Sequence, residues 1–336
     1  MCIRDSINPV TAHIVLNRNI LPTSQCQPAY LAPGHCTSAK LVTVFLGMVA
    51  LLRFLVRHAM ECPQPARITL YLLWAAMAAA STLGALAQES LVHGVWVWKT
   101  ASVLAAPGSA DALRDFCRLQ TVNEVYLSFS PTKIDAAGES QIAALIASLH
   151  RSGIRVEALL SSVDADEPGT HRDKLLDHVR AVLAFDRDHP RNGFDGIHLD
   201  VEPQQRPENK GPGNLAFLPD LLETYRQVRV LAEQNRISVN ADIPNKFLKG
   251  DAGQRQALMS ALPRLTLMLY ELSNPGDGES PASQADKLRQ ESEKYLNMAY
   301  EGLSGSNLAR MAIGLRTPDY ESRLPDVLKI LSLIHI

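Results

Sequence analysis

Cysteine is scarce here and poorly placed for crosslinking. Of the five in the chain, Cys2, Cys26, Cys36 and Cys62 lie near the amino terminus and Cys117 stands alone in the remainder. One cysteine cannot close an internal disulfide, so a domain built from the later residues rests on its hydrophobic core. At about 250 residues, most of the apolar surface can be buried. Charge of one sign is lacking too. With 33 Lys and Arg against 35 Asp and Glu, the formal net charge is −2. That leaves no basic field for gripping nucleic acid or an acidic membrane surface, so neither is an expected partner. Also missing is a G-x-G-x-x-G turn after the first strand-like run, which a doubly wound nucleotide-binding sheet would require. No cofactor is therefore expected.

Long apolar runs are few, and the longest is informative. From Met60 the chain reads MECPQPARITLYLLWAAMAAASTLGALAQES. Arg67 precedes the apolar run, and Ala85 and Ala87 form an A-x-A pattern before Gln88, so residues 60–87 read as a secretory signal peptide. The alternative is a retained anchor over residues 68–87, about the ~20 residues needed to span a bilayer. The expected location is secreted or periplasmic, with membrane contact only through that segment. Residues 1–59 show no sustained period and are expected to be upstream read-through or disordered. Their one apolar run, Leu41 to Leu52, is too short to span. A two-anchor membrane protein is the competing reading. The terminal MCIRDS and LSLIHI resemble translated adapter sequence, so the native ends are expected to lie elsewhere.

After Gln88 the pattern becomes regular. Strand-like runs fall at 93–99, 122–130, 154–162, 196–203, 236–244, 264–273 and 309–316. Between them, apolar residues at three- and four-residue spacing predict helices over 111–119, 141–150, 172–185, 215–234 and 284–300. Alternating strands and helices imply parallel βαβ units. Such units repeating at roughly 30–45 residues fit a (β/α)8 TIM barrel over residues 88–336. The eighth strand is missing, so the barrel is predicted to be incomplete, with a gap between its first and seventh strands.

In this fold the active site gathers at the carboxyl ends of the strands. There the third run ends in Ser161 and Ser162, the fourth in Asp200 and Glu202, the fifth in Asn240 and Asp242, and the sixth in Tyr270 and Glu271. The fourth is the most informative: NGFDGIHLDVEPQQ alternates Ile197, Leu199 and Val201 with His198, Asp200 and Glu202. Residues two apart share a face of a strand, about 6.6 Å apart, so the polar three point inward and the apolar three face the helices. Two carboxylates close together in a low-dielectric interior cannot both ionise freely, so one pKa rises. Such a pair suits acid/base work at neutral pH, and equally a structural network tying neighbouring strands. A metal site is not expected, since these three on one strand cannot converge on an ion without ligands from elsewhere.

DGIHLDVE resembles the D-x-x-D-x-D-x-E fourth-strand motif of glycoside hydrolase family 18, the chitinases and related endo-N-acetylglucosaminidases. Asp195, Asp200 and Glu202 match its first, third and last acidic positions, and His198 replaces its second aspartate. LMLYE at 267–271 looks like the family's M-x-Y-D with Glu271 for aspartate, and LLSS is a poor version of its S-x-G-G. The likeness covers roughly residues 93–316. It implies hydrolysis of N-acetylhexosamine-containing glycans, with Glu202 protonating the glycosidic oxygen and the substrate's 2-acetamido group attacking the anomeric carbon. It further implies that Asp200 orients that group and Tyr270 donates a hydrogen bond to it. Asn240, Asp242 and Glu271 would line the sugar subsite, with Asp195 and His198 behind it and Trp96 or Trp98 stacking on a sugar face. His198 would hydrogen-bond or pair with Asp200 and keep it anionic. The same substitution fits an alternative, a glycan-binding or scaffold barrel that has lost turnover. A glycosidase using a nucleophile from the seventh strand fits less well, because GLRTPDYE offers only Asp319 and Glu321 beyond that strand.

Overall fold

The computed structural model describes residues 13–17, 92–211, 213–269, 281–303 and 308–316. The chain divides into two units, Met1–Pro22 with Leu91–Ile336, and Thr23–Ser90. The second unit, with the whole predicted signal segment, lies outside the described residues, as do Tyr270 and Glu271.

In chain order the first unit runs β1 (His13–Asn17), β2 (Val92–Val97), α1 (Thr100–Ala105), α2 (Ser109–Leu119), β3 (Glu124–Ser128), α3 (Ala136–Arg151) and β4 (Arg155–Ser162). It continues with α4 (Thr170–Asp188), β5 (Gly196–Val201), α5 (Leu218–Gln234), β6 (Ser238–Pro244) and α6 (Ala252–Ala261). Last come β7 (Arg264–Met268), α7 (Pro281–Tyr300) and β8 (Arg310–Arg316). From β2 to β8, each strand pairs in parallel with the next. These seven parallel strands with their helices are the incomplete (β/α)8 set that the spacing of the runs predicts, and β1 closes them into a barrel. Where the gap was expected, β1 runs antiparallel to both β2 and β8, with Ile14 opposite Val95 on one side and Leu315 on the other. A strand there gives partners to two edges that would otherwise present unpaired backbone groups.

Local chemistry accounts for the main elements. In α3, Ile142, Leu145, Ile146 and Leu149 recur at helical spacing and are all buried, the stripe a helix needs to cover a sheet. Its start is fixed by Asp135, whose carboxylate accepts the Gly138 N–H at 2.8 Å, satisfying one of the first-turn donors. The sequence reading gave no helix between the fifth and sixth parallel strands, yet α6 forms there. Only Leu258 and Met259 are buried on it, and a capping box between Asp251 and Gln254 sets its start. So short an apolar stripe leaves almost no periodicity to read.

Two cores result, one on each side of the strands. Outside, Ile197, Leu199 and Val201 of β5 join helix residues such as Val179, Val182 and Tyr225. Inside the barrel, Trp96, Tyr126, Leu159 and Ala312 form a small apolar cluster. The rest of the interior is polar: Glu124, Glu157, His198, Asp200, Asn240, Asp242, Arg264 and Thr266 are all buried. Gly196 makes room for this network, since a Cβ there would stand 2.6 Å from Ser238 Oγ and 2.8 Å from Glu157 Oε1.

Candidate functional site

At the foot of the barrel lies an ion cluster that sequence reasoning missed. Arg264 of β7 places Nη1 2.8 Å from Glu124 Oε2 and Nη2 3.2 Å from Glu157. Asn240 Nδ2 donates to both oxygens of Glu157, at 2.8 and 2.9 Å. Tyr126 donates its hydroxyl to Glu124 at 2.7 Å. Burial alone would raise the Glu157 pKa, but the Arg264 charge and the His198 and Asn240 donors reverse that and hold it at about 2. Glu124 goes the other way, raised by burial and by the neighbouring Glu157 charge against the pull of Arg264. A signal existed in the sequence, because Glu124, Glu157 and Arg264 each interrupt an apolar strand run. What joins them is contact across the barrel interior between residues as far apart in sequence as Glu124 and Arg264, which no local pattern contains.

Above this cluster, His198 is fully buried. Its Nε2 is 2.8 Å from Asp242 Oδ1, and its Nδ1 lies 3.4 Å from Glu157 Oε2, within ion-pair distance. Trp96 donates Nε1–H to the other Asp242 oxygen at 2.9 Å. The partners of His198 are thus Asp242 and Glu157, and the expected pairing with Asp200 is corrected. The register explains it: His198 lies opposite Asn240 on β6, so Asp242, two residues further on and on the same face, is the carboxylate at hand.

At the mouth, Asp200 is 5% exposed and Glu202, one residue past β5, is half-buried. Ser161 of β4 lies opposite Asp200. The Glu202 backbone N–H donates to Ser162 O at 2.8 Å, extending the pairing of β5 with β4 by one step. Its carboxylate accepts Gln204 Nε2 at 3.0 Å and also the Gln205 amide. Both glutamines belong to the VEPQQ run, whose Pro203 opens the short 3-10 turn that folds them back. Just beyond, Arg206 pairs with Asp166 at 2.7 Å and with Glu167, stapling the loop after β5 to the loop after β4.

The electrostatics of this pair follow from its burial. Asp200 is raised well above the ordinary carboxylate range by desolvation first, then by the Asp242 and Glu202 charges. Glu202 is raised by burial and by Asp242, against the two glutamine amides. Both carboxyl pKa values are therefore raised, and the pull of His198 that was expected to keep Asp200 anionic is outweighed. The positive His198 does favour an anionic Asp200, but burial among carboxylates outweighs it.

Several residues expected to face substrate are engaged inside the wall instead. Asn240 is committed to Glu157 and both Asp242 oxygens are occupied. Trp96 is fully buried, so it positions Asp242 and stacks on no sugar. Asp195 sits before the amino end of β5, about 20 Å along the chain from Glu202. There it accepts the Val156 N–H at 2.7 Å and meets His150 Nε2 at 2.9 Å, a clamp between β5, β4 and α3. Trp98 fares differently: half-buried, it packs on the inner apolar cluster. It also lines a cavity of about 930 Å³ at the carboxyl ends of β2 and β3, together with Lys99, Ser128, Ser130, Thr132 and Lys133.

Among solved structures the chain is similar to the second catalytic domain of the group II chitinase of Ostrinia furnacalis, with 15% identity and a TM-score of 0.35 over 57% of this chain and 55% of that one. It is also similar to a chitinase from Chromobacterium violaceum, with 16% identity and a TM-score of 0.40 over 66% of this chain and 74% of that one. A third likeness is to an active-site mutant of the Rhizomucor miehei beta-1,3-glucanosyltransferase in complex with laminaritriose, with 16% identity and a TM-score of 0.39 over 65% and 75%. The chain spans about half the length of the Ostrinia domain. No family model matches the sequence, and no curated protein does.

Proposed function

We propose that this chain is an exported glycoside hydrolase of the family 18 type, acting on glycans that contain N-acetylhexosamine. The observation that carries the reading is the Asp200–Glu202 pair at the carboxyl end of β5, in which both carboxyls are raised by burial and by the Asp242 charge, and Asp200 by Glu202 as well. A carboxyl that holds its proton near neutral pH can deliver it to a leaving group, which is the role of a general acid. Glu202, the more exposed of the two, protonates the glycosidic oxygen as the bond from that oxygen to the anomeric carbon breaks. The 2-acetamido carbonyl oxygen of the same sugar bonds to that carbon from the opposite face. Asp200 accepts the acetamido N–H through its carbonyl oxygen and steadies the cationic ring that forms. Water then attacks the anomeric carbon as its bond to the acetamido oxygen breaks and the acetamido group is regenerated, and the water yields its proton to Glu202, restoring the acid. Tyr270 and Glu271, outside the described residues, are assigned to the acetamido group and the sugar from the resemblance of LMLYE to the family's motif. The hydroxyl-rich cavity beside Trp98 suits a sugar further along the chain, since an indole face and hydroxyl donors are what a pyranose presents well to. Export rests on the signal-like run over residues 60–87.

Glu202→Gln tests this, because it keeps the hydrogen-bonding shape and removes the transferable proton. Hydrolysis of a chromogenic N-acetylglucosamine oligomer is expected to fall by about 10²- to 10⁴-fold, the usual worth of a general acid. Unchanged hydrolysis overturns the mechanism, and glycan binding by a wild type that never hydrolyses favours the scaffold reading.

A further inference from the structure

We infer that His198 stands as an imidazolium which commits Asp242 to be the anion of the barrel interior and leaves the transferable protons on Asp200 and Glu202. It is thereby a positioning residue for the acid. The inference rests on proton geometry. A neutral imidazole carries one N–H and one lone pair. Here Nε2 hydrogen-bonds Asp242 Oδ1 at 2.8 Å, and Nδ1 lies at ion-pair distance, 3.4 Å, from Glu157 Oε2 without the alignment of a hydrogen bond, so a neutral ring would set a lone pair beside one of the two carboxylates. The ring cannot turn aside. Tyr126 stacks on it with centroids 3.9 Å apart, and Trp96 meets it edge-on at 6.0 Å.

The surrounding charges agree with this assignment. Glu157 cannot take the proton, being held ionised by Arg264 and by two bonds from Asn240. Asp242 accepts an N–H on each oxygen, from His198 and from Trp96, which a carboxylate satisfies and a protonated acid does not. Beyond these, the charged or titratable groups of the barrel interior among the described residues are Glu124 and Tyr126 of β3, Asp200 above the ring on β5, Arg264 of β7, and Arg310, which shares β8's inward face with Ala312. Burial opposes the charge on His198, yet the two carboxylates outweigh it and push the pKa up to about 9. An Asp242 fixed as an anion in turn disfavours charge on Asp200 and Glu202. The state of His198 stands on geometry alone, while its effect on turnover rests on the reading of Glu202 as the acid.

The two parts separate experimentally. In the wild-type full chain labelled with ¹⁵N-histidine, long-range ¹H–¹⁵N spectra are expected to show one of the ten histidines keeping both ring nitrogens protonated at pH 8. If every histidine is neutral at that pH, the inference is overturned, whether or not the protein hydrolyses anything. For turnover, His198→Gln removes the cation that holds Asp242 as the anion, so the charge that disfavours ionisation of Glu202 weakens and the acid gives up its proton at lower pH. The alkaline limb of the kcat/KM profile is then expected to move downward by about 1 unit or more. A merely structural role lowers the rate at every pH and leaves the limbs of the profile in place, which would overturn the positioning role. An inactive wild type whose histidine stays protonated refutes the hydrolase reading and not the imidazolium.

Discussion

Arg264→Met removes the cation at the foot of the barrel while keeping much of its length. The guanidinium serves Glu124 at 2.8 Å and Glu157 at 3.2 Å, and both carboxylates are almost wholly buried, at 2% and 0% exposure. Removing one partner of a buried ion pair costs about 3–5 kcal/mol, because the remaining charge stays desolvated. Arg155 still faces the two carboxylates at 3.7 and 3.8 Å, and His198 and Asn240 still serve Glu157, so the loss should lie near the lower end, about 3 kcal/mol. For a domain of this size each kcal/mol moves the midpoint by about 2–4 °C, so Tm should fall by roughly 6 to 12 °C at pH 7. The deficit also depends on pH with a definite sign. In the wild type Glu157 is held at about 2 against an ordinary 4.5. Its contribution is therefore present above 4.5 and lost as pH falls toward 2. Without Arg264 that carboxyl protonates at higher pH and ceases to be a stranded charge, so the gap between variant and wild type should narrow between pH 7 and pH 4. Thermal unfolding followed by circular dichroism at both pH values reads this directly. A loss below about 1 kcal/mol at pH 7 refutes the reasoning, as does a deficit that is the same at pH 4.

Two further outcomes test the packing around the site. Gly196→Ala sets a methyl 2.6 Å from Ser238 Oγ and 2.8 Å from Glu157 Oε1, so it should destabilise by about 1–3 kcal/mol in chemical unfolding; an unaltered midpoint contradicts the crowding. The buried Cys117 thiol is pushed up to about 12 by desolvation. Thiol labelling with peptide mapping at pH 8 should therefore leave Cys117 unmodified in the native protein and modified in denaturant; prompt native labelling contradicts its burial.

Much of the fold was legible in the sequence because barrel strands carry their own signature. GIHLDV shows which residues face the helices and which face inward, and β5 keeps that phase with Ile197, Leu199 and Val201 in the outer core. The helices with full apolar stripes were equally plain. What stayed hidden was the identity of partners. His198 points inward, as alternation requires, but whether it meets Asp200 on its own strand or Asp242 on the next depends on register. Asn240 and Asp242 looked like groups at the mouth because they lie on an inward face, yet their hydrogen bonds are used within the interior. Trp96 and Trp98, two residues apart, share a strand face, and only depth in the barrel makes the first a buried donor and the second a wall of the cavity. The antiparallel β1 carries no helix-strand alternation and so announced nothing of its place.

The most direct measurement of the central claim compares two chromogenic oligosaccharides that differ only at the 2-position of the reacting sugar. One carries the acetamido group and the other a hydroxyl. If the substrate's own acetamido oxygen is the nucleophile and Glu202 the acid, only the acetamido oligomer should be hydrolysed. Equal hydrolysis of both contradicts the account, because the nucleophile would then have to come from the protein or from water.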